Sequence, residues 1–153
     1  MMYKNNLIGN QKVKHVTWSE SYSLGIRQID DQHKELLLFV NELFNNSAEG
    51  EIMDGAYFRG VIQQMVHYIK NHFSTEEKYM LAMNYPGFAA HKKVHDEFIL
   101  TIIKTAKDYD AGKRLMPEKL AYFLKDWVLS HVAVMDLQYA HHYRKLIATR
   151  QCL

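Results

Sequence analysis

Apolar residues recur at steps of three and four along most of the chain. Between residues 25 and 46 these positions hold Ile26, Ile29, Leu36, Leu37, Val40, Leu43 and Phe44. This spacing puts side chains on one face of an α-helix, whereas a half-buried strand would alternate strictly. Segments of about 53–83, 88–111 and 116–148 carry similar stripes. The pattern predicts an all-α protein with four long helices.

Glycine, proline and polar residues separate these segments. The breaks are the polar stretch Asn45 to Gly55, the sequence Asn84-Tyr85-Pro86-Gly87, and the sequence Asp110-Ala111-Gly112 with Pro117 soon after. Short connections favour antiparallel neighbours and hence an up-down-up-down four-helix bundle. We expect one domain over residues 1–153, with an N-terminal arm of about 1–24 and a bundle of about 25–148. Trp18 in the arm is expected to pack across the bundle.

Composition is that of an ordinary globular protein, with 153 residues, 48% hydrophobic, 24% charged and a net charge of +2. Lysine and arginine are scattered, so no nucleic-acid partner is predicted. The single cysteine, Cys152, excludes an internal disulfide and a thiolate zinc site. No apolar run has the length of a signal peptide or a membrane span. We therefore expect a soluble, cytoplasmic protein. Separately, we expect it to be a monomer.

Each predicted helix also carries a histidine or a carboxylate on its apolar stripe. These residues are His33 in the first helix, His72 and Glu76 in the second, His91 and His95 in the third, and His131 and Asp136 in the fourth. One histidine in an apolar stripe is usually a core residue with satisfied nitrogens. Each unsatisfied buried polar group, however, costs about 1–3 kcal/mol. Five histidines and two carboxylates in one core therefore indicate a common partner, and a metal would satisfy them.

Counting ligands narrows the choice of metal. Seven protein ligands exceed the four of a tetrahedral zinc but suit two metals that share both carboxylates. With one bridging solvent oxygen, one metal becomes six-coordinate and the other five-coordinate with one open position. Imidazole and carboxylate ligands suit iron or manganese. Iron is favoured, because an open position beside a second redox metal favours oxygen chemistry.

The sequence motifs around these residues resemble those of the hemerythrin family, and of its bacterial branch in particular. They are Trp18, Gly25-Ile26, Ile29-Asp30-x-Gln32-His33-Lys34, His72-Phe73-x2-Glu76-Glu77, and Tyr85-Pro86 before His91. The resemblance covers roughly residues 16–140. HxxxE and HxxxH arise often by chance on helices, so the full ordered set carries the resemblance.

The resemblance implies a role for each residue of the set. The six-coordinate iron would be held by His91, His95 and His131. The iron with the open position would be held by His33 and His72. The bridges would be Glu76, Asp136 and an oxo or hydroxo group. Dioxygen would bind reversibly at the open iron, under a pocket covered by Val128. The implied function is that of a non-enzymatic oxygen carrier or store.

Two other functions stay open at this point. One is a module that senses oxygen or nitric oxide; no output domain or long linker accompanies the segments, which argues against it. The other is a di-iron oxidase or peroxidase, which would need inward acid or base residues beyond the ligands. Partners are expected to be dioxygen and, for a carrier, an oxygen-consuming enzyme.

The spacing of His131 and Asp136 raises a geometric problem. On a regular α-helix, side chains five residues apart point about 140° away from each other around the helix axis. His131 and Asp136 could not then both face one metal pair. One wide π-helical turn between them would align the two side chains. A regular helix with a tilted Asp136 side chain is the alternative.

Among the remaining polar residues, Asp30 is expected to support the start of its helix and Glu77 to be solvated. Surface positions are expected for His15, His67, His141 and His142.

Overall fold

The computed structural model describes residues 15–47 and 54–151, and all regular secondary structure within them is helical. The helices are α1 (Arg27–Asn45), α2 (Gly55–Ala82), α3 (Phe88–Asp110), α4 (Pro117–Ser130) and α5 (Asp136–Gln151). A π-helical turn, His131–Met135, joins α4 to α5, so these three pieces form the fourth helix of the bundle. The prediction of an all-α four-helix bundle is confirmed.

The helices lie antiparallel in the predicted up-down-up-down order. Helix α1 packs against α4 and α2, and α2 packs against α3. The bounds differ from the predicted segments by at most a few residues. The predicted start at residue 53 and the first 14 residues of the arm lie outside the described chain. Within the described residues, no helix is both long and apolar enough to cross a membrane.

Helix ends coincide with the residues that interrupt the apolar stripes. Asp54 caps α2, because its carboxylate accepts hydrogen bonds from the backbone N–H groups of Ala56 and Tyr57 at 3.0 and 3.2 Å. Gly112 follows α3 with a φ of 84°, a left-handed conformation that favours glycine. Pro117 is the first residue of α4, where its missing N–H has no helical partner to lose.

Asp30 anchors the arm to the start of α1. One carboxylate oxygen accepts from the backbone N–H of Leu24 at 2.7 Å, and the other accepts from the hydroxyl of Ser23 at 2.7 Å. These bonds agree with the predicted supporting role of Asp30. Trp18 packs half-buried against the bundle, with the ammonium of Lys34 5.0 Å from its ring centre.

Two apolar clusters fill the bundle. The larger one includes Leu36, Val40, Phe58, Met65, Phe73, Phe98, Leu124 and Val128. The smaller one consists of Leu24, Ile26, Ile29, Met80, Tyr139 and Ala140. Every helix passes from one cluster to the other, and the inward histidines and carboxylates occupy the level between them. The fold therefore brings the polar residues of all four helices to one place.

Candidate metal centre

The seven residues singled out in the sequence lie together in the bundle core. Their side chains are between 0 and 3% exposed. Their donor atoms form two groups, which share Glu76. The first contains His91, His95 and His131, and we call it the three-histidine group. The second contains His33, His72 and Asp136. We call His33 and His72 the two-histidine group and treat Asp136 separately.

Glu76 directs one oxygen at each group. Its Oε2 lies 3.1 Å from Nε2 of His95, 3.6 Å from that of His131 and 3.7 Å from that of His91. Its Oε1 lies 3.6 Å from Nε2 of His33 and 3.7 Å from that of His72. The carboxylate thus spans the two groups.

Asp136 repeats this arrangement from the fourth helix. Its Oδ1 lies 3.1 Å from Nε2 of His131 and 3.3 Å from that of His91. Its Oδ2 lies 3.2 Å from Nε2 of His33. Both carboxylates therefore direct one oxygen towards each group.

The π-helical turn is what places Asp136. The backbone N–H of Asp136 bonds to the carbonyl of His131, five residues back rather than four. The wider turn brings both side chains to the same side of the helix. The predicted π-bulge is confirmed, and the alternative of a regular helix with a tilted Asp136 is wrong.

Many donor atoms at the centre lack hydrogen-bond partners within the described residues. They are Nε2 of His33, His72 and His91, Oε2 of Glu76, and both carboxylate oxygens of Asp136. Buried polar atoms without partners are costly, so most native ones are paired. Two imidazole nitrogens, those of His95 and His131, also face each other at 3.0 Å. A donor set of this kind fits cations held at the two groups.

The electrostatics of the cluster keep both carboxylates ionised. Burial alone would raise the pKa of Glu76, but the histidines packed around its carboxylate, His72 first among them, hold that pKa well below its ordinary value. Burial lowers the pKa of His72 to about 4. Burial also disfavours charged His33, yet the nearby carboxylates of Asp136 and Glu76 prevail and raise its pKa to about 9. A bound cation must displace such a proton, so binding would release protons.

Three further residues hold the ligands in place. The hydroxyl of Tyr139 donates to Oε1 of Glu76 at 2.8 Å. Nδ1 of His72 bonds to the side-chain oxygen of Gln32 at 3.0 Å, and Nδ1 of His95 bonds to Oε1 of Glu77 at 3.1 Å. Hydrogen bonds of this kind orient metal-binding histidines.

The prediction that Glu77 is solvated was wrong. Its side chain is only 22% exposed, because it turns towards His95 on the neighbouring helix. The sequence held one usable signal: a ligand histidine needs an acceptor for its second ring nitrogen, and a carboxylate commonly serves. Tyr139 was missed as a functional residue, because its place among the apolar residues of the fourth helix indicated only a core side chain.

A narrow apolar cavity of about 10 Å³ adjoins the two-histidine group. This volume is at the lower limit for one water-sized molecule. Its lining comprises Leu36, Phe39, Val40, Met65, Ile69, His72, Phe73, Phe98, Leu124, Trp127 and Val128. Val128 is 2% exposed and is one of these lining residues.

The other histidines in the described residues lie away from the two groups. His67 and His141 are exposed. His15 is exposed and donates to the side chain of Asn45 at 2.7 Å. His142 is half-buried rather than fully on the surface, and it donates to the carbonyl of Met83 at 3.1 Å.

Comparison with known proteins decides the family. The model of the hemerythrin HHE cation binding domain matches residues 24–142. The chain belongs to the hemerythrin family. It is 32% identical over 125 residues to a bacteriohemerythrin of Stenotrophomonas maltophilia, covering 82% of this chain and 79% of the relative. It is 30% identical over 122 residues to a hemerythrin of Sipunculus nudus, covering 80% of this chain and 88% of that relative. Wild-type hemerythrin superimposes with a TM-score of 0.72 at 28% identity, covering 82% of this chain and 95% of that hemerythrin.

Proposed function

We propose that this hemerythrin-family protein holds two iron ions between its four helices and binds dioxygen reversibly there. The observation that carries the proposal is the spanning geometry of Glu76 and Asp136, each with one oxygen towards each histidine group. Membership of the hemerythrin family supports the same function.

The protein donors would divide unequally between two irons. The three-histidine group with one oxygen from each carboxylate would offer five donors to one iron. The two-histidine group with the other two oxygens would offer four donors to the other. An iron held by the two-histidine group would therefore have more room for dioxygen as a further ligand. The pair, when bound, supplies the two electrons that dioxygen accepts on binding and returns on release.

The surrounding residues favour release over further reaction. Apart from His72 and the indole N–H of Trp127, the described residues that line the cavity beside His72 offer only aliphatic, thioether and aromatic groups. Such a lining disfavours water and contains no carboxyl or hydroxyl group that could supply a proton for cleavage of the O–O bond. Burial raises the pKa of Tyr139 well above its ordinary value, so its hydroxyl stays protonated. That hydroxyl is engaged in the hydrogen bond to Glu76.

We further propose that residues 1–153 form one domain acting as an oxygen carrier or store, from which an oxygen-consuming enzyme could draw. The test uses purified protein reduced under argon with dithionite. We expect two irons per chain and a nearly colourless reduced protein. A visible charge-transfer band should appear in air and disappear under vacuum. One metal per chain, or native zinc, would contradict the ligand assignment. Catalytic oxygen consumption without an accumulating bound form would contradict the carrier function.

A further inference from the structure

Two of the metal-binding histidines donate to acceptors of different charge. Nδ1 of His95 lies 3.1 Å from a carboxylate oxygen of Glu77. Nδ1 of His72 lies 3.0 Å from the amide oxygen of Gln32. The first histidine belongs to the three-histidine group and the second to the two-histidine group. The two groups therefore differ in the charge behind one imidazole as well as in the number of ligands.

The amide of Gln32 has one allowed orientation. Its nitrogen lies 3.4 Å from the hydroxyl oxygen of Thr75. That hydroxyl donates its single hydrogen to the carbonyl of Asn71 at 2.8 Å, so its oxygen can only accept from Gln32. The amide nitrogen must then face Thr75, and the amide oxygen must face His72.

This orientation fixes the tautomer of His72. Because an amide oxygen only accepts, the proton of the neutral imidazole must sit on Nδ1. Nε2 is then left bare, and it faces Oε1 of Glu76 at 3.7 Å, inside the centre. Gln32 is itself held from the other side, since the hydroxyl of Tyr68 donates to its backbone carbonyl. At 8% exposure, Gln32 has little water to replace these partners.

We propose that Gln32 is a positioning residue that sets the tautomer of His72 and, by being neutral, keeps it a weaker donor than His95. The inference rests on the proposed function, because it requires iron at both groups. A carboxylate acceptor makes an imidazole more basic, and a more basic ligand stabilises Fe(III) over Fe(II). A neutral acceptor beside the open position therefore favours the return to Fe(II) on which oxygen release depends.

A reciprocal pair of near-isosteric variants tests this tuning. Gln32→Glu places a carboxylate behind His72, and we expect a lower midpoint potential of the iron centre. Glu77→Gln removes the carboxylate behind His95, and we expect a higher midpoint potential. Gln63→Glu is the matched control for Gln32→Glu, because Gln63 is exposed on α2 and the variant adds the same negative charge. Shifts of the same sign in both variants, or no shift beyond that of the control, would overturn the proposal.

The tautomer has its own readout in zinc-loaded, ¹⁵N-histidine-labelled protein. We expect a slowly exchanging Nδ1–H signal for His72 in the wild type and in Gln32→Glu. Gln32→Leu should lose that signal and bind zinc about 10- to 100-fold more weakly, the usual effect of removing such a partner. A signal from protonated Nε2 in the wild type would overturn the assigned tautomer. A wild-type protein that loads no iron would instead refute the proposed function, and this inference with it.

Discussion

The hydrogen bond from Tyr139 to Glu76 offers the sharpest single test of how the core supports the centre. Tyr139→Phe removes one hydroxyl whose oxygen lies 2.8 Å from Oε1 of Glu76, and leaves the ring in place. Both side chains are fully buried, so water cannot readily replace the lost donor. Hydrogen bonds to charged groups contribute about 1.5–3 kcal/mol. At about 2–4 °C per kcal/mol for a chain of this size, the midpoint of thermal unfolding should fall by about 3–12 °C.

The assay is thermal unfolding of the iron-loaded protein, followed by far-UV circular dichroism, with iron content measured on the same sample. Tyr143→Phe serves as the control, because it removes a hydroxyl from a half-buried residue one turn further along the same helix. We expect the control to unfold within about 2 °C of the wild type. If Tyr139→Phe unfolds at the wild-type temperature with full iron, the hydroxyl does not stabilise the bridging carboxylate, and the reasoning from the 2.8 Å contact fails.

Four further predictions follow from the same geometry. His95→Ala should lose most of its iron by metal analysis, whereas exposed His67→Ala should keep it; equal iron contents would contradict the ligand assignment. Val128→Leu adds a methylene at the cavity and should slow autoxidation in air; an unchanged or faster rate would place Val128 outside the oxygen pocket. Removing iron with a chelator should lower the unfolding temperature, because binding energy is also folding energy. Deleting Val134, an exposed residue of the π-helical turn, should restore regular spacing and retain two irons; loss of iron would show that the wide turn itself is required.

Much of the fold could be predicted because its determinants are local. Steps of three and four define a helix face within a few turns, and Gly112 and Pro117 mark helix ends through their own backbone preferences. The ligand pairs on α2 and α3 are local too, since residues four apart share a face. Even the π-helical turn left a local trace, because the stripe through His131 and the stripe through Asp136 are out of register by one residue.

The residues that support the ligands lacked such a local trace. The contacts of His72 with Gln32, His95 with Glu77 and Tyr139 with Glu76 span 40, 18 and 63 residues. Each depends on how far one helix is rotated against its neighbour, which the sequence pattern does not specify. Glu77 illustrates the difficulty: it follows a ligand by one residue, so the pattern of its own helix directs it about 100° away. It reaches His95 only because α3 packs on that side, and its carboxylate accepts a hydrogen bond from Nδ1–H of the imidazole. The inward position of each candidate ligand was therefore predictable from its own helix, and the set of four helices suggested a metal, whereas the charge placed behind the histidines is a property of the packed bundle.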